Sequence, residues 1–117
     1  MGRYPETIPP ILRDEALARI GGEEEFLKEL IEIYRDEFKK RYDALREAIH
    51  EKDFQAIREN GHSLKGASDN LSLPGLREAA FEMEMAGKNQ DMGKAKQALN
   101  SLKEEFDRLV KFLGQNP

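Results

Sequence analysis

Apolar residues recur at spacings of three and four along most of the chain, and no useful stretch alternates with period two. The pattern predicts helices and no sheet. Ile11 to Ile20 supports a short first helix with Ile11, Leu12, Ala16, Leu17 and Ile20 available for burial. Gly21-Gly22 stops it, because glycine enters the left-handed cap conformation at little cost. Glu23-Glu24-Glu25 opens a second helix at the end where negative charge suits the helix dipole. Its stripe of Phe26, Leu30, Ile33/Tyr34, Phe38, Arg41/Tyr42, Leu45 and Ala48/Ile49 carries it from about Glu23 to His50.

Glu51-Lys52-Asp53 is a tight connection, with Asp53 as N-cap of a third helix that extends to about Leu71. Phe54, Ile57, Leu64 and Leu71 are its apolar stripe, completed by Gly61 and Ser68. Ser72-Leu73-Pro74-Gly75 breaks it, and Pro74 suits the first turn of a fourth helix. Leu76, Ala79/Ala80, Met83 and Ala86 give that helix a face ending near Gly87. Lys88-Asn89-Gln90 is the next loop, after which Asp91 caps a fifth helix striped by Ala95, Ala98/Leu99, Leu102, Phe106, Leu109/Val110 and Leu113. Short connections among the last four helices predict an all-α fold: an antiparallel up-down-up-down four-helix bundle, with the additional short N-terminal helix lying across it. Residues 1–10 hold three of the five prolines and read as an irregular arm, leaving 11–117 as one domain.

Composition narrows the classes of function. A length of 117 residues suits one core of moderate size. The absence of cysteine excludes disulfides and thiolate metal sites and fits a cytoplasmic location. No apolar run approaches the roughly 18 residues that span a membrane, and no secretory h-region opens the chain. Nineteen basic and 23 acidic residues give a net charge of −4 and are mixed along the chain, without the basic stripe of a nucleic-acid binder. Neither a membrane nor a nucleic acid is therefore expected as a partner. The two histidines, His50 and His62, lack the His-Glu-x-x-His spacing of a metal site, and Ser63 and Ser68 lack a nucleophile elbow. Met83, Met85 and Met92 read as packing residues.

His62 stands apart. On a helix of about 100° per residue, the apolar stripe centres roughly 135° away from it. Arg58, Lys65, Gly66 and Asp69 share its side. Imidazole offers a nitrogen nucleophile near neutral pH, so a displayed histidine is suited to receive a phosphoryl group from another protein's active site. Such a group brings about two negative charges, which Lys65 at i+3 can meet. Gly66 at i+4 costs about 1 kcal/mol in a helix interior, which calls for a reason. It reads either as a close helix contact or as clearance for a docked partner. The ring's second nitrogen needs an orienting acceptor; Glu84, or second to it Glu82, could supply one from the fourth helix. The plainer reading of each residue also stands: a solvated surface histidine and a solubilising lysine.

Together these residues resemble the histidine-containing phosphotransfer (Hpt) domain of two-component phosphorelays. The family's signature of histidine-x-leucine-lysine-glycine and small residues is matched by His62-Ser63-Leu64-Lys65-Gly66-Ala67-Ser68. Ala18-Arg19-Ile20-Gly21-Gly22 followed by Phe26-Leu27, and Met83-Glu84 with Ala86-Gly87-Lys88, extend the likeness over most of the chain. The resemblance implies His62 as phosphoacceptor, Lys65 as charge partner, Gly66 as the clearance position and a docking face that includes Arg58 and Asp69. It implies a phosphocarrier without catalysis or cofactor of its own. Response-regulator receiver domains, each with a Mg2+ ion in its acidic pocket, would supply the chemistry, and a hybrid histidine kinase the phosphate. A monomer is expected. The chain departs from the pattern at Ser72-Leu73-Pro74-Gly75, where many members have glycine in the turn. The alternatives are a helical interaction module that is never phosphorylated, or the phosphotransfer segment of a hybrid sensor kinase.

Overall fold

The computed structural model of the chain describes Pro5 and residues 7–115. Five helices follow one another: α1 (Arg13–Arg19), α2 (Glu24–His50), α3 (Phe54–Asn70), α4 (Pro74–Lys88) and α5 (Met92–Gln115), with no strand among the described residues. Helices α2 to α5 form an antiparallel bundle. Tyr34 of α2 meets Ser68 of α3, and Arg41 further along α2 meets Asn60 further back on α3. Phe38 of α2 stacks on Phe106 of α5 with ring centroids 4.0 Å apart.

The helix boundaries follow the sequence within a residue or two, and the exceptions have local causes. The first helix starts at Arg13 rather than Ile11, because the Leu12 amide donates to the carbonyl of Ser72 (2.9 Å) while Ile11 is buried beneath it. Helix α4 runs one residue beyond Gly87, which is an internal packing position and not a stop. The α2 stripe needs a larger correction. Leu27, Ile31, Tyr34, Phe38, Leu45 and Ala48 face the core, whereas Phe26 and Ile33 are exposed, Ile33 by 64%. Spacing alone allowed either neighbouring row of a helix that is apolar over a broad arc.

Three connections share one geometry. Lys52, Ser72 and Gln90 each take the left-handed conformation, at φ of 58°, 56° and 53°. In each, the next amide reaches back to a carbonyl five residues earlier: Asp53 to Ala48 (2.8 Å), Leu73 to Ser68 (2.9 Å) and Asp91 to Ala86 (2.9 Å). This is the Schellman closure, made without glycine. Asp53 and Asp91 then cap the following helices through Oδ1, accepting from the amides of Ala56 and Lys94 at 3.1 Å each. At the middle turn the Ser72 hydroxyl donates to Glu15 of α1 at 2.7 Å. Arg19 of α1 donates to the carbonyl of Asp69. The first helix thus clamps the α3–α4 corner.

Of the N-terminal arm, residues 1–4 and 6 lie outside the described residues, as do 116 and 117 at the other end. Residues 7–10 carry no helix, and Arg108 of α5 donates to the carbonyl of Ile8 at 2.7 Å while pairing with the buried Glu105 at 2.8 Å. No helix among the described residues is long and apolar enough to cross a membrane.

Candidate functional site

The site is built on the seam between α3 and α4. A Cβ added at Gly61 would lie 2.6 Å from the amide nitrogen of Glu84, and one at Gly87 would lie 2.4 Å from that of Arg58. The two glycines answer one another across an antiparallel pair, so the backbones approach more closely than any side chain would allow. Because Gly61 precedes His62, this contact delivers Glu84 to the histidine. Glu84 Oε2 lies 3.1 Å from His62 Nδ1, and Glu84 Oε1 lies 2.8 Å from Lys65 Nζ.

Burial divides the three side chains by task. The His62 side chain is 69% exposed, while those of Glu84 and Lys65 are 16% and 24% exposed. One carboxylate therefore serves two partners from a largely dry position, and the imidazole projects beyond it. The hydrogen bond from Lys65 holds the Glu84 carboxyl below the usual carboxylate range, against the opposing pull of burial and with further help from His62. With Nδ1 turned to Glu84, Nε2 is the ring nitrogen left to an incoming group.

The remaining residues singled out by sequence are placed as follows. Gly66 is exposed, and a Cβ there would meet nothing within 4 Å. It is not a helix contact; that part is played by Gly61 and Gly87. Arg58 is exposed, with its backbone against Gly87. Asp69 pairs with Arg77 of α4 at 3.2 Å. Glu82 does not approach His62, lining instead the cleft between α4 and α5 with Glu78 and Lys94. Among the described residues, no three or more histidine, cysteine, aspartate or glutamate side chains cluster as metal ligands would.

Two further side chains have roles that were not anticipated, one in the core beneath α3 and one at the site. Ser68, read as a small member of the stripe, is buried and bonded to the Tyr34 hydroxyl at 2.8 Å. Phe81 of α4 places its ring 5.4 Å from Lys65 Nζ while remaining 39% exposed. Its signal in the sequence was an aromatic residue off the apolar face of α4.

An exposed histidine on an antiparallel helical bundle, steadied by a carboxylate from the neighbouring helix, defines a class of histidine-bearing bundle. The Hpt domain family model matches residues 29–112, and the chain belongs to that family of phosphotransfer domains. The phosphorelay intermediate protein rdeA of Dictyostelium discoideum is 27% identical over 92 residues, covering 79% of this chain. The chain spans only 36% of that protein's length. No solved structure matches the chain.

Proposed function

We propose that the protein is a phosphocarrier that relays a phosphoryl group between receiver-domain aspartates through His62. One observation carries this reading: an outward imidazole whose inner nitrogen is engaged by a half-buried carboxylate. With Nδ1–H donated to Glu84, the Nε2 lone pair attacks phosphorus in a receiver's aspartyl phosphate. A P–N bond forms, the P–O bond breaks, and the aspartate leaves as carboxylate with the electron pair. The ring becomes cationic, and the Glu84 carboxylate beside it stabilises that charge. Return of the phosphoryl group to a second aspartate is the same step reversed.

In this reading Lys65 meets the phosphoryl charge and Gly66 leaves room for the docked receiver, whose Mg2+ ion serves the aspartate's end of the transfer. Arg58 and Asp69 belong to the docking face. A hybrid histidine kinase charges the relay, and the protein acts as a cytoplasmic monomer. Incubation with a phosphorylated receiver should give an acid-labile, alkali-stable adduct that His62→Gln abolishes. Normal phosphate acceptance by that variant would overturn the assignment. No transfer from any receiver would favour an interaction module instead.

A further inference from the structure

We infer that Phe81 is a positioning residue for Lys65, holding its ammonium at the α3–α4 seam beside His62. The inference rests on the reading of His62 as phosphoacceptor. Lys65 has a long, flexible side chain, and holding it in one place costs rotamer freedom. Glu84 Oε1 attracts the ammonium at 2.8 Å from one direction. Glu84 alone leaves the lysine stem free to swing about that contact. The Phe81 ring, 5.4 Å from Nζ, adds attraction from a second direction, within the range of a cation–π contact.

Other roles for this ring explain less. Phe81 is 39% exposed, so the core does not account for it. The α4 positions that pack inward are Leu76, Ala79, Ala80, Met83 and Ala86. Phe81 lies one turn before Glu84 on the same helix, so the backbone that places the carboxylate also places the ring. The lysine is thereby kept where phosphoryl charge arrives on His62, rather than dispersed into solvent. A leucine at this position would cover the seam but lacks the negative ring face that attracts a cation.

The test compares Phe81→Leu, Phe81→Tyr and Lys65→Met, with the Phe81→Leu/Lys65→Met double variant. Phosphoramidate serves as a small donor: the His62 nitrogen forms its bond to phosphorus as the donor's P–N bond breaks and ammonia leaves. Phe81→Leu should slow His62 phosphorylation about three- to five-fold, the size of an exposed cation–π contact. Phe81→Tyr should restore the rate, and Phe81→Leu should change nothing further once Lys65 is methionine. In proton NMR spectra, the Lys65 ε-methylene should be ring-current shifted in the wild type and in Phe81→Tyr, but not in Phe81→Leu. An unshifted methylene in the wild type, or an equal loss with and without Lys65, overturns the inference. If the wild type takes no phosphate from any donor while the ring-current shift is present, the phosphocarrier reading fails and the contact is structural only.

Discussion

Gly61 and Glu84 touch backbone to backbone, and that contact sets the distance between the histidine and its carboxylate. A methyl group at Gly61 would come within 2.6 Å of the Glu84 amide nitrogen, and one at Gly87 within 2.4 Å of the Arg58 nitrogen. Neither obstacle is the end of a flexible side chain, so the helices themselves must part.

Gly61→Ala and Gly87→Ala should each therefore destabilise the protein by about 1–3 kcal/mol, the usual cost of overpacking. Gly66→Ala should do the reverse. Its site is open and helical, so alanine should add about 1 kcal/mol through helix propensity. Urea midpoints check all three. A bulky residue at position 66 should leave the fold intact and block transfer from a receiver, while phosphoramidate labelling survives.

Helix number, order and caps were legible in the sequence, because periodicity, glycine, proline and capping aspartates act locally. His62, Lys65 and Gly66 were legible as a group for the same reason: they share one helical face. Which carboxylate on α4 meets His62 was not fixed by any local rule, since Glu82 and Glu84 are both available. The choice depends on helix register, which Gly61 and Gly87 set through contacts across the seam. Phe81 and the Tyr34–Ser68 bond were hidden similarly, each depending on which residue of a second helix lies opposite.

The acid limb of stability should carry the signature of Glu84. Its carboxyl is held low by Lys65 first, with burial opposing and His62 assisting. A depressed folded value contributes stability that is complete above the unfolded value of about 4.3 and is lost as pH falls through the folded value. Glu84→Gln lacks that contribution, so its deficit against the wild type should shrink between about pH 6 and pH 3. A deficit that stays constant over the series of urea melts would refute this. Glu82 should behave oppositely, since burial first and Glu78 second push its carboxyl up. Its cost is absent in acid and complete above the folded value, so Glu82→Gln should stabilise the protein at neutral pH only.

Tyr34 and Ser68 should show strong non-additivity. Their 2.8 Å bond is buried, and burial raises the Tyr34 hydroxyl well above its ordinary range while the Ser68 bond opposes that shift. Ser68→Ala strands the hydroxyl in the core and should cost about 1–3 kcal/mol. Tyr34→Phe in the Ser68→Ala background should recover much of it. Additive losses in a double-mutant cycle would show that the bond contributes little.

The left-handed turn residues offer a stabilising series. Lys52→Gly and Gln90→Gly should each raise stability by about 0.5–1 kcal/mol, because glycine takes positive φ without Cβ strain. Ser72→Gly should gain less or lose, since its hydroxyl also binds Glu15 of α1. Thermal melts of the three variants provide the comparison.

His62, Lys65, Gly66, Phe81 and Glu84 all lie between Phe54 and Lys88, within the single hairpin of α3 and α4. The contacts of His62 with Glu84, and of Lys65 with Glu84 and Phe81, are all made across this one hairpin. The site's contacts therefore close over one short loop, at lower sequence separation than the packing of α2 against α5. Changes on the exposed faces of α1 and α5 should therefore leave the His62–Glu84–Lys65 geometry as it is.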